Sequence, residues 1–202
     1  LFRVRHVMKV YYKNPESTAD TIDADGWLHS GDKGEIDSDG YVKITGRIKE
    51  LYVSSGGKNI APLVIEETMK SIPMVSQCML IGDGRKYCSA LFTLDVGAIL
   101  RDKHGMDPAK IPKDPAVQIT TLESFGKTLS DYTDSEEIFN EMQVEVSRLN
   151  GQFSNPEQIK KFTILPRDLN VDFGELTPTL KIRRIQIREN WASEIESMYE
   201  GA

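Results

Sequence analysis

Three separated groups of residues have the types and spacings that would suit an anionic, hydroxyl-rich ligand. The first is Gly26-Trp27-Leu28-His29-Ser30-Gly31-Asp32. A carboxylate just after a glycine in a loop can accept two hydroxyl hydrogen bonds, as from a ribose diol, while the glycine admits a ligand to the backbone. The same residues would also make an ordinary surface turn. The second group is Thr45-Gly46-Arg47-Ile48-Lys49-Glu50, followed by Ser55-Gly56-Gly57-Lys58-Asn59-Ile60. Arg47 can donate to ribose or phosphate oxygens and the glycine pair allows close backbone contact. Read blandly, this is a basic strand followed by a hairpin turn. The third group is Gly174-Glu175-Leu176-Thr177-Pro178-Thr179-Leu180-Lys181-Ile182-Arg183-Arg184.

Around that third group the charges are unevenly divided. Residues 181–188 hold Lys181, Arg183, Arg184 and Arg188 and no acid, while 189–200 hold Glu189, Glu194, Glu196 and Glu200 and no base. In a single helix this order opposes the macrodipole, which favours anions at the N-terminus and cations at the C-terminus. A phosphate or carboxylate held at that N-terminus beside Lys181 would make the arrangement sensible. A solvated basic face is the plainer alternative.

These side chains must be positioned by short elements. Residues 1–12 alternate basic and apolar side chains in the manner of a half-buried strand, and Asn14-Pro15 breaks it ahead of a helical turn or two. Asp39-Gly40 between Gly34-Glu35-Ile36-Asp37 and Tyr41-Val42-Lys43-Ile44 is a hairpin signal. Leu51 to Ser54 reads as a strand, and Leu63, Ile65, Met69 and Ile72 after Pro62 as one face of a helix. Cys78–Ile81 and Tyr87–Leu94 form an expected hairpin, which would make Cys78 and Cys88 near cross-strand neighbours. A helix carrying Val96, Ile99 and Leu100 follows. Residues 104–133, rich in Pro, Asp and Thr, read as a long connection with one turn of helix. Thr133 and Glu136 have capping-box spacing ahead of a helix faced by Ile138, Phe139, Met142, Val146 and Leu149. Phe162–Leu165 is a last strand and Ile182–Tyr199 a last helix. Strands and helices without regular alternation give an α+β fold, a short mixed or antiparallel sheet flanked by helices.

Composition limits the remaining choices. The 202 residues carry 25 bases and 31 acids, a formal charge of −6, which argues against general nucleic-acid binding because that needs a concentrated basic face. No apolar run approaches the roughly 18–20 residues that span a bilayer. Two cysteines ten positions apart fit neither a disulfide scaffold nor a metal knuckle, and no metal ligand set is expected in the chain.

Taken in order, the groups resemble the C-terminal portion of adenylate-forming enzymes, the superfamily of acyl-CoA synthetases, peptide-synthetase adenylation domains and beetle luciferases. Tyr11 to Glu16, Gly31-Asp32, Gly46 to Glu50, Gly56 to Ile60 and Leu176 to Lys181 carry the likeness. The spelling Gly-Glu-Leu-Thr-Pro-Thr-Leu-Lys, the run Ile159-Lys160-Lys161-Phe162 and a helical insertion over about 100–155 look most like long-chain fatty-acid CoA ligases, including the bubblegum type.

The resemblance implies roles. Asp32 would hold the ATP ribose hydroxyls with help from Arg47, and Lys49 would be the hinge of a rotating small domain. Lys181 would serve the adenylation half-reaction. Ser55, Gly56, Gly57 and Lys58 would line the CoA pantetheine passage. It also implies residues 1–46 as the tail of a large N-terminal AMP-binding domain and 47–202 as the small C-terminal domain. Fatty acid, ATP and CoA would be the substrates, Mg2+ would bind in the large domain, and the chain alone would be inactive. The implied setting is cytoplasmic, and association with a membrane is compatible with it. Another adenylating branch, activating aryl or amino acids, and a non-catalytic lid-like interaction module are the alternatives.

Overall fold

The computed structural model describes residues 1–54 and 56–201. The fold is α+β and divides into two compact units, Leu1–Leu51 and the chain from Tyr52 onward.

In the first unit, helix α1 (Pro15–Thr21) opens on Asn14, whose side chain accepts the Ser17 N–H at 3.0 Å, with Pro15 in the first helical position. Asparagine satisfies an orphan donor there, and proline has no donor to lose. Strands β1 (Asp32–Ile36) and β2 (Val42–Arg47) pair antiparallel with Asp32 opposite Arg47. The turn between them depends on Asp37, whose carboxylate accepts the Asp39 and Tyr41 N–H groups at 3.0 and 2.9 Å, and on Gly40 at φ +86°. The expected hairpin is therefore present. The strand expected over residues 1–12 is not. Only Phe2 bridges, to Leu28, and most side chains of this stretch are exposed. Alternation alone makes no strand when no partner supplies a ladder. Within the whole unit only Gly46 is buried.

The second unit holds the hydrophobic core. Strands β3 (Tyr52–Val53) and β4 (Asn59–Ile60) form a tight hairpin. Helix α2 (Pro62–Met69) leads to β5 (Val75–Ile81) and β6 (Cys88–Leu94), and β7 (Ile159–Ile164) completes a sheet of order β5-β6-β7. β5 and β6 are antiparallel, β6 and β7 parallel. Every residue of β6 is buried, because the sheet is covered on both faces and alternation is lost. On one face Leu80, Ala90 and Phe92 pack with Ile65 and Met69 of α2 and with Ile99, Leu100, Met142 and Val146. On the other, Met79, Ile81 and Leu91 meet Leu176, Ile187, Trp191 and Ile195.

The parallel β6–β7 connection carries α3 (Val96–Asp102), α4 (Pro115–Ser124), α5 (Ser130–Thr133) and α6 (Glu136–Asn150). More of 104–133 is helical than expected. Asp114 caps α4 by accepting the Ala116 N–H at 2.8 Å, with Pro115 following, a start signal hidden in a loop-like composition. Ser135, not Thr133, caps α6, since Thr133 already closes α5. The expected last helix is two short ones, α7 (Arg184–Asn190) and α8 (Ala192–Ser197). The uneven charges thus lie on a loop and two short helices rather than along one macrodipole, which removes the helix-dipole argument for an anion there. No helix among the described residues is long and apolar enough to cross a membrane.

Cys78 pairs in register with Phe92, not with the region of Cys88, and both thiols are free and buried. The expected near neighbours are therefore separated along the sheet. Burial, with the Glu157 charge adding to it, pushes the Cys88 thiol up to about 11. Burial likewise holds Cys78 well above its ordinary range. The thiolate is the reactive form, so neither should react with an aromatic disulfide reagent at pH 8 in the native protein. Both should titrate in guanidinium chloride. Rapid native labelling would contradict this.

Candidate functional site

The expected residues fall into clusters that the two units present separately. In the first unit Asp32 opens β1 and Arg47 closes β2, so the register places them side by side with Arg47 Nε 3.4 Å from Asp32 Oδ1. Arg47 remains mostly exposed, and the pair leaves the carboxylate acceptor capacity for hydroxyl groups. Lys49 lies in the 3-10 turn Ile48–Glu50, directly after β2, and is exposed. The Ile48 N–H donates to the Gly31 carbonyl at 2.9 Å, tying that turn to the Asp32 loop.

In the second unit the glycine segment is the tip of the β3–β4 hairpin. Ser54 N–H donates to the Lys58 carbonyl at 2.9 Å, Gly57 N–H to the Ser54 carbonyl at 2.8 Å, and Lys58 N–H to Ser54 Oγ at 2.9 Å. Gly57 has φ +78°, a left-handed conformation in which a side chain would be strained. Lys58 bonds Glu157 Oε2 at 3.0 Å and Ser154. Ser55 lies outside the described residues. A cleft of about 320 Å³ opens beside this tip, lined by Gly56, Lys58, Arg85, Lys86, Tyr87 and Lys160 among others. Arg85 is held by Glu196 and Lys160 by the Asn155 and Gln158 side chains.

Lys181 stands exposed at the end of a closed loop. Thr177 N–H donates to the Lys181 carbonyl at 2.8 Å, Lys181 N–H donates to Thr177 Oγ1 at 3.0 Å, and Leu180 N–H donates to the Thr177 carbonyl at 2.8 Å. Leu176 and Ile182 bridge below it. Leu180 is 68% exposed and takes φ +60°. A left-handed non-glycine residue costs about 1–3 kcal/mol and persists only where its surroundings over-determine it.

Two buried carboxylates bond to the segments that flank this loop. Glu175, fully buried, receives Arg167 through two bonds at 2.7 and 2.8 Å, Trp191 Nε1 at 2.9 Å, Asn190 Nδ2 at 3.1 Å and the Asn170 N–H at 3.2 Å. Burial alone would raise this carboxyl. The bonds from Arg167, Asn190 and Asn170 and the Arg167 charge outweigh that and hold it below its ordinary value. On the far side Arg184 makes two bonds of 2.6 Å to Glu66, which is 3% exposed. Sequence reading gave Glu175 and Arg184 no such role and passed over Glu66. A signal was present, since Glu66 adjoins Ile65 and Met69 on the buried side of α2, and a buried carboxylate needs a partner. Among the described residues no group of three His, Cys, Asp or Glu could hold a metal ion.

Comparison with known proteins agrees with this architecture. Residues 49–109 match the family model of the AMP-binding enzyme C-terminal domain. The likeness is to the AMP-binding, adenylate-forming enzymes, whose C-terminal domain these residues match. It is 35% identical over 193 residues to the long-chain-fatty-acid–CoA ligase FadD15 of Mycobacterium tuberculosis, a match covering 96% of this chain and 30% of that protein. The mouse long-chain-fatty-acid–CoA ligase ACSBG1 is 35% identical over 201 residues, covering 97% of the chain and 28% of that protein. The chain thus spans under a third of the length of these relatives. Among solved structures, the A domain of a carboxylic acid reductase from Segniliparus rugosus, in complex with AMP and a carboxylic acid, superposes with a TM-score of 0.70 at 19% identity. That superposition covers 98% of this chain and 27% of the other, and the likeness is one of fold.

Proposed function

We propose that this chain is the C-terminal part of an AMP-forming long-chain fatty-acid CoA ligase, with residues 1–46 the tail of the large domain and 47–202 the mobile small one. The observation that carries the reading is Lys181, an exposed ammonium on a strained loop braced by two buried carboxylates. Such bracing suits a group that must arrive preformed at developing charge. Support for a tail that belongs to another body comes from the first unit, which runs to Leu51, leaves Ile36, Tyr41, Val42 and Ile44 exposed and buries only Gly46. A segment this poor in core needs another body to pack on.

In the first half-reaction a fatty-acid carboxylate oxygen attacks the ATP α-phosphorus and the bond to pyrophosphate breaks. Asp32 accepts the ribose hydroxyls, Arg47 assists it, and Lys181 places its charge between carboxylate and α-phosphate. Mg2+, which the large domain would hold, would supply positive charge for the departing pyrophosphate. The backbone then turns at Lys49 and the small domain presents the Ser54–Lys58 tip, where Gly56 and Gly57 admit pantetheine. The CoA sulfur attacks the acyl carbonyl, its proton is lost to solvent, and AMP departs. The basic rim of the neighbouring cleft suits a polyanion such as CoA. Two roles that exclude each other explain a rotation.

The test is a reaction of the full-length natural protein with palmitate, ATP and CoA, followed as AMP and acyl-CoA. Stoichiometric AMP and acyl-CoA are expected. The 202-residue chain alone should release no palmitate-dependent pyrophosphate, and release by the chain alone would refute the division of labour. Activity with aryl or amino acids but not fatty acids would place the protein in another adenylating branch.

A further inference from the structure

Resting on the reading of Lys181 just given, we propose that the buried Glu66–Arg184 pair is a positioning device for Lys181. It fixes the exit of the lysine loop to the rigid sheet of the second unit. Arg184 is three residues beyond Lys181 and opens α7. Its two guanidinium nitrogens meet the two Glu66 oxygens at 2.6 Å each, a fork that fixes orientation as well as distance.

Glu66 is anchored in turn. Its Oε1 accepts the Leu80 N–H at 2.7 Å in β5, and the Leu80 carbonyl accepts the Tyr52 hydroxyl at 2.8 Å. The Arg184 Nη1 also approaches that hydroxyl at 3.4 Å. The lysine loop is therefore joined through one carboxylate to α2, β5 and β3. Entry to the loop is held independently by Glu175, whose backbone carbonyl also accepts the Arg183 N–H at 2.8 Å.

A buried ion pair is a poor way to gain stability, because desolvation offsets much of the attraction and apolar residues of the same size often do better. It is a good way to fix register. Apolar packing would tolerate a small slide of α7, whereas a two-pronged bond does not. Leu180 at φ +60° immediately before Lys181 needs both flanks of its loop held if it is to stay there.

The test uses the full-length protein, the two half-reactions measured separately, and the variants Arg184→Lys and Glu66→Gln. Arg184→Lys keeps the charge and loses the fork. Glu66→Gln keeps an acceptor for Leu80. Each should lower kcat for acyl-adenylate formation about tenfold, a loss of orientation rather than of binding, with KM for ATP changed less than twofold. Thioester formation from supplied acyl-adenylate should be unchanged, which also shows that the variants are folded. In the background of Lys181→Ala, adding Arg184→Lys should slow adenylation no further, because a residue acting through Lys181 has nothing left to position. Additive losses, or equal loss of both half-reactions, would overturn the proposal, as would silent single variants beside a slow Lys181→Ala. An inert Lys181→Ala would instead remove the functional reading of that lysine and the pair's role with it.

Discussion

Replacing Lys181 by alanine in the full-length protein should lower acyl-adenylate formation about 10²–10³-fold, the scale of removing one preorganised donor at developing charge. The expectation follows from geometry. The loop holds the Lys181 backbone by two hydrogen bonds to Thr177, at 2.8 and 3.0 Å, so the exposed side chain reaches out from a fixed point of attachment. A group preset in this way contributes to the transition state more than to substrate binding, and KM for ATP should move less than kcat. Thioester formation from supplied acyl-adenylate should remain near the unmodified rate, because the glycine tip and not Lys181 serves that step. Lys181→Arg should be intermediate at best, since the planar guanidinium is bulkier and cannot act as a point charge. Single-turnover pyrophosphate release measures the first step and AMP release on adding CoA the second. Equal loss in both would remove the role assigned to Lys181.

The largest effect on stability is expected at Glu175. Replacing it by alanine should destabilise the protein by about 3 kcal/mol, the low end for breaking a buried pair because Arg167 keeps part of its surface in water. Arg167, Trp191 Nε1 and Asn190 Nδ2 would each lose the acceptor they share. Glu175→Gln keeps one oxygen acceptor and should cost less. Sign and pH follow from the carboxyl being held below its ordinary value of 4.5. A depressed carboxyl contributes stability that is fully present above about pH 4.5 and is lost as the pH falls through its folded value. The gap between the natural protein and Glu175→Gln should therefore be widest near neutrality and close on acidification. Urea unfolding of the two at several pH values measures it, and a gap independent of pH would contradict the charged network.

Much of the local structure was legible beforehand because it follows from neighbours in sequence. Asp39-Gly40 specifies a turn with positive φ, and the glycine tip and the β5–β6 hairpin follow from equally local signals. Where expectation failed, a second element was decisive. Residues 1–12 alternate correctly yet find only one bridging partner. The single helix expected at the end breaks at Trp191, whose indole N–H is drawn to Glu175 sixteen positions earlier. The connection at 104–133 departs from expectation for a different reason: within its loop-like composition Asp114 and Pro115 are a cap and a first helical residue.

The residues assigned to the ligand, Asp32, Arg47, Gly56, Gly57 and Lys181, and the hinge Lys49 were determined as candidates by sequence alone, because residue type, spacing and motif order are properties of the chain as written. Only the tertiary structure decided what holds them. Asp32 meets Arg47 because the β1–β2 register sets them opposite each other. Lys181 is braced by Glu175 from one side and by Glu66 from the other, and Glu66 lies 118 positions away from the arginine that joins it to the loop. A buried carboxylate announces that it needs a partner. Which cation arrives is settled by how α2, β5 and α7 pack, since at that separation no local preference of the chain can select it.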